Sequence, residues 1–187
     1  MSDLTTVLAN FVTLFDELEV DYAVMGGMAV RVHGIPRPTF DLDFTITISR
    51  QALPHFYDRI SAAGYVISDL YSTGWVDQVA GLLLIKVTFY VAGNGVDLDL
   101  FLAESPFQLS LMSRRQQHLI DGRQTWIVSP EDLVLLKLIA HRPRDFVDVA
   151  DVLFAQGKLD ETYLHRWAKE LGVVAELETA LAEQQLM

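Results

Sequence analysis

The chain has 187 residues and carries 14 Lys and Arg against 25 Asp and Glu, a formal net charge of -11. That field excludes indiscriminate binding of phosphate backbones, so a polyanionic substrate would need a local basic patch or bound divalent cations. With 51% hydrophobic residues and no cysteine, the composition suits one folded domain with a real core and excludes disulfides, thiolate metal sites and cysteine nucleophiles.

Leu4, Leu8, Phe11, Val12, Phe15 and Leu18 recur at helical spacing and predict an amphipathic opening helix. Tyr22 to Met25 is a short apolar strand that ends at Gly26-Gly27. Residues Met28 to His33 suit a short helix, and Gly34-Ile35-Pro36-Arg37-Pro38 forces an extended loop after it. From Phe40 to Ile48 apolar and polar residues alternate, the period of a strand with one buried face, so Asp41 and Asp43 point to the same side. Ser49 can cap a helix running to about Ala63, and Tyr65 to Ile67 reads as a strand. The apolar run Leu82 to Val91 is interrupted by Lys86, well short of the roughly 20 residues a membrane span requires. With no basic leader at the N-terminus, a soluble cytoplasmic protein with no membrane partner is expected. Gly93-Asn94-Gly95 predicts a hairpin to Val96–Phe101. Arg114, Arg115, His118 and Arg123 form a loose basic cluster, read first as a solvated face and otherwise as a nucleic-acid contact. Ser129-Pro130-Glu131-Asp132 starts a helix to about His141, Pro143 starts another to about Phe154, and Tyr163 onward forms one or two more with Gly172 as the break. The order predicts a mixed α/β (α+β) sheet with packed helices over residues 1–128, followed by a C-terminal helical region, 129–187, packed on that core.

Acids two apart on a strand share a face, about 6.6 to 7 Å apart. Asp41 and Asp43 could therefore hold divalent cations together, with Asp97 or Asp99 from a second strand; parity alone does not choose between the latter two. Two such ions can stabilise the attacking and leaving oxygens of a phosphoryl or nucleotidyl transfer. Gly26-Gly27, between strand and helix, lets backbone N–H groups approach a triphosphate. Arg37, just before the acidic strand, suits contact with a phosphate. His33 reads as a local hydrogen-bonding residue, and Lys137 as a helix lysine that snorkels to the surface.

The glycine pair, Asp41-Leu42-Asp43 and a later aspartate strand resemble the nucleotidyltransferase superfamily of DNA polymerase beta type. The phrases Gly26 to Gly34, Arg37 to Asp43, Asp99 to Phe107 and Ser129 to Lys137 are similar to AbiEii-like minimal nucleotidyltransferases, in family order from about Val24 to Leu153. That resemblance implies a nucleotidyltransferase fold with Gly26 and Gly27 as the phosphate loop. It makes Asp41 and Asp43 the two metal-binding acids, Asp99 the third carboxylate, and Lys137 with the Arg142–Asp145 turn a triphosphate or partner surface. It further implies an enzyme that uses magnesium, or manganese in its place, to transfer a nucleoside monophosphate from an NTP to a tRNA 3' end or a protein hydroxyl. Such an enzyme would be a toxin–antitoxin component with a cognate partner. The alternative is a module that retains the fold and binds nucleotide or partner without turnover.

Overall fold

The computed structural model describes residues 2–79, 81–91 and 93–184, which hold nine helices and eight strands. The end of the predicted last helix, residues 185–187, lies outside them. The first half runs α1 (Ser2–Glu17), β1 (Asp21–Met25), α2 (Gly26–His33), β2 (Asp41–Thr47), α3 (Leu53–Ala62), β3 (Tyr65–Ile67), the single turn α4 (Asp69–Ser72) and β4 (Asp77–Val79). It continues with β5 (Leu82–Val91), β6 (Asn94–Leu102), α5 (Pro106–Arg114), β7 (Gln116–Ile120) and β8 (Arg123–Ile127). The helices α6 (Pro130–Ala140), α7 (Pro143–Gln156), α8 (Glu161–Leu171) and α9 (Val174–Gln184) complete it. None of the described helices is long and apolar enough to cross a membrane.

The strands form one sheet in the order β3-β5-β6-β2-β1-β8-β7, with β4 also on β5. Antiparallel β1–β2 beside parallel β2–β6 and β1–β8 makes it mixed. In β2 the predicted alternation holds for Leu42, Phe44 and Ile46, which are fully buried, against Asp41, exposed, and Asp43, half-buried, on the opposite face; it fails at Phe40, which precedes the strand and is exposed, and at Thr45, which is buried. Phe44 packs against Phe11 and Phe15 of α1 at ring separations of 5.6 and 5.3 Å, and Phe15 stacks on Phe56 of α3 at 6.3 Å. Helices α1 and α3 thus cover the apolar face, where each such side chain contributes about 1.5–3 kcal/mol by leaving water. The acid-bearing face is left for α6, whose residues Pro130 to Leu138 are all buried.

Three expectations shift. Helix α3 starts at Leu53 rather than after Ser49, because Pro54 lacks an N–H and its fixed φ suits a first turn; Ser49 closes a preceding turn by accepting from Ala52 N. The β5–β6 hairpin pairs Val91 with Asn94 and Tyr90 with Gly95, so Asn94-Gly95 lie in the strand and Gly93, at φ +84°, supplies the positive φ of the turn. The basic cluster falls on α5 and the β7–β8 hairpin, where Arg114 pairs with Glu131, Arg115 with Asp21 and Arg123 with Asp16.

Candidate active site

The parallel register of β2 and β6 sets Asp41 opposite Asp97 and Asp43 opposite Asp99. Neighbouring strands lie about 4.7–4.9 Å apart, so four aspartates form two lateral pairs on the face that α6 covers. Asp97 accepts from Thr88 Oγ1 at 2.9 Å, and Asp41 from Thr39 Oγ1 at 2.9 Å. Lys86, facing Asp99 across the β5–β6 ladder, reaches its carboxylate at 3.2 and 3.4 Å. From the sequence, Lys86 stands out only as a break in an apolar run; the cross-strand parity that brings it to Asp99 needs the true hairpin register.

Asp43 is strongly perturbed. Its carboxyl is pushed up to about 7, first by burial and then by the charges of Asp41 and Asp99, and no hydrogen bond among the described residues offsets this. Burial also raises the Asp99 carboxyl, against the opposing pull of Lys86. Oxygen donors crowded in this way fit a hard divalent cation, which relieves the repulsion that each carboxylate imposes on the next. No three acids or histidines of the described residues close into a ready-made metal cage. The open array suits an ion such as magnesium, which keeps water and takes substrate phosphates as ligands.

Gly26 opens α2 at φ +59° directly beside this array, and a Cβ added there would collide with the Asp43 carboxylate. A Cβ at Gly27 would strike Thr39. Both glycines are thus required by close approach, and together they leave the positive end of α2 open toward the acids. Gly26→Ala is expected to cost about 1–2 kcal/mol from the left-handed backbone alone and to displace Asp43. A thermal midpoint indistinguishable from the parent's would refute this.

Two clefts meet at Asp43, Lys137 and Arg142. One, of about 670 Å³, has Asp43 and Asp99 at its base and Val79, Leu82, Phe101 and Leu136 in its walls. The other, of about 990 Å³, is polar and passes Gly27, Thr39, Asp41, Asp97 and Arg144.

Lys137 lies at this junction and Arg37 lines the polar cleft, and the two share one charge network. The guanidinium of Arg37 forks onto Asp148 at 2.6 and 2.7 Å; Lys137 Nζ donates to Asp148 at 2.6 Å and to Asp145 at 2.9 Å. Arg142 closes the far side on Asp145 at 2.7 Å. Burial would raise both acids, but the hydrogen bonds from Arg37, Arg142 and Lys137 outweigh it and hold them below the ordinary carboxylate range. Asp148 is a member that the sequence motifs do not contain, although its i,i+3 spacing from Asp145 on one helix face is a usable signal. His33 stays outside the site: its Nε2–H donates to Val128 O at 2.8 Å, and burial lowers its pKa.

A family model described as "Nucleotidyl transferase AbiEii toxin, Type IV TA system" matches residues 8–172. No curated protein matches the chain. Among solved structures, an antigenic nucleotidyltransferase-like protein from Paracoccidioides brasiliensis is similar at 20% identity and TM-score 0.57, over 97% of this chain and 93% of that one. The lincosamide antibiotic adenylyltransferase LnuA, lincomycin-bound, shares 17% identity at TM-score 0.52, over 78% and 93%. ANT(2")-Ia in complex with adenylyl-2"-tobramycin shares 13% at 0.56, over 89% and 95%. At these identities the likeness is one of fold.

Proposed function

The chain belongs to the AbiEii nucleotidyltransferase family and is an enzyme of nucleotidyl transfer, and from that premise we propose that it moves a nucleoside monophosphate from an NTP to an acceptor hydroxyl, releasing pyrophosphate. The observation that carries this is the in-register placement of Asp41, Asp43 and Asp99 on adjacent strands beside the open N-terminus of α2. In the proposal Asp41, Asp43 and Asp99 hold magnesium, or manganese in its place. Bound there, the cations would supply charge stabilisation at the transferring phosphoryl group. Gly26 and Gly27 admit the triphosphate to the backbone N–H groups of α2. Lys137 and Arg37 both line the polar cleft and contribute positive potential through the network with Asp145 and Asp148. Asp99 takes the proton of the attacking hydroxyl, a role its raised basicity suits, and Lys86 orients that carboxylate. The proposed acceptor is a tRNA 3' end and the proposed setting a cytoplasmic toxin–antitoxin pair with a cognate partner protein. A protein hydroxyl is the second reading, favoured by the net charge of -11.

The test is incubation with magnesium and each alpha-labelled NTP, offering total tRNA and cell protein separately. Label on one acceptor that disappears in Asp41→Asn is the expected result. NTP binding without label on either acceptor would return the non-catalytic alternative, and no NTP binding at all would sink the site assignment.

A further inference from the structure

Phe40 is 82% exposed, more than any other large hydrophobic side chain among the described residues, and it directly precedes Asp41. Singly exposed apolar residues are common and by themselves mean little. The setting of this one differs, because the loop that carries it is held on every side. Pro36 and Pro38 restrict its backbone, Arg37 forks onto the buried Asp148, Arg144 donates to Pro38 O at 3.2 Å, and Thr39 bonds Asp41. The ring is therefore presented to water by a fixed backbone.

Phe40 also divides two grooves. On one side is the polar cleft of the aspartates, with Arg144 in its wall; on the other is a groove of about 1120 Å³ that contains Arg31, Pro36 and Val96. Arg31 and Arg144 have no acidic partner among the described residues: Arg31 touches only Met28 Sδ, and Arg144 uses one of its five donors on Pro38 O. In a chain of net charge -11, two uncompensated guanidinium groups flank one pre-oriented aromatic ring at the mouth of the site. A π-face between two phosphate-binding cations is the chemistry that recognises a single-stranded polynucleotide.

We propose that Phe40, Arg31 and Arg144 form the seat of the acceptor strand, with an unpaired base near its 3' end stacked on Phe40 and its flanking phosphates on the two arginines. This deepens the nucleotidyl-transfer reading and rests on it for the identity of the strand as acceptor, but binding to the seat can be measured without any reaction.

The probe is a 5'-labelled single-stranded oligonucleotide of about ten nucleotides, in ribo and deoxyribo forms, titrated by fluorescence anisotropy without NTP at several salt concentrations. Phe40→Ala is expected to weaken binding about 5- to 100-fold and Phe40→Trp to restore it. Arg31→Gln with Arg144→Gln should make the salt slope shallower by about 0.7 for every phosphate that is no longer neutralised. NTP affinity should stay at the parent value in Phe40→Ala. A ribo probe that binds more tightly than the deoxyribo probe would identify the strand as RNA, and the reverse as DNA. Equal oligonucleotide affinity of Phe40→Ala and parent would overturn the proposal, as would a parent that binds neither probe. A parent that binds the probe through Phe40 yet releases no pyrophosphate would sink the transfer reading and leave the seat standing.

Discussion

Asp43→Asn should lower nucleotidyl transfer about a thousandfold, the several kcal/mol that a metal-binding carboxylate supplies to the transition state, and at the same time make the unliganded protein more stable above pH 7. The second half follows from proton linkage. The Asp43 carboxyl titrates at about 7 in the folded chain and near 4 in the unfolded one. Between those values the folded state holds a proton that the unfolded state has shed, so stability falls as pH rises across that window. The full effect is on the order of 4 kcal/mol, reduced by the water that still reaches a half-buried group. Asparagine keeps the shape and never ionises. The expected result is a variant with a midpoint roughly 5–10 °C above the parent at pH 8 and nearly coincident with it at pH 4. Loss of activity accompanied by lower stability at pH 8 would show Asp43 to be a structural residue.

Asp148→Ala should cost about 3–5 kcal/mol, the cost of removing one partner from a buried ion pair, and lower the midpoint by about 10 °C. Asp148 has no exposed surface, and its removal strips Arg37 of its acidic partner and Lys137 of one of two. The sign of its pH dependence is opposite to that of Asp43. A depressed carboxyl stabilises above its unfolded value near 4 and loses that contribution as pH falls further. With Asp145 behaving alike, the parent should be most stable at mildly acidic pH, with one slope set by Asp43 and the other by the network. Thermal midpoints measured from pH 3 to pH 8 check both slopes, and a flat profile would refute both assignments.

The parts of this fold that could be read from sequence are those whose signal is local. The alternation of Leu42, Phe44 and Ile46 against Asp41 and Asp43 gave the faces of β2, though it placed Phe40 on the buried face where the structure exposes it, and Ser129 with Pro130 gave the start of α6. The β7–β8 hairpin carried its own local signal, Asp121-Gly122 with φ of +45° and +84°, which suits the two positive φ angles of a tight hairpin turn. It was hidden because the flanking runs, rich in Gln and Arg, lack clean alternation. What no local pattern contained was pairing at a distance. Arg37 meets Asp148 across 111 residues, and only the β2–β6 register makes Asp99, rather than Asp97, the neighbour of Asp43. A charged residue beside a motif reads as available for ligand until its counter-ion is known.

Helix α6 is buried along nine consecutive residues and forms one side of the apolar cleft through Leu133, Leu136 and Lys137. Amides in such an element exchange with solvent only through openings close to global unfolding. The wall over the acids therefore belongs to the slowest-opening part of the molecule, and breathing of α6 is too rare to admit a substrate on a catalytic timescale. Traffic into and out of the site therefore passes along the polar cleft beside Phe40, an opening that the pinned loop from Pro36 to Phe40 holds in place.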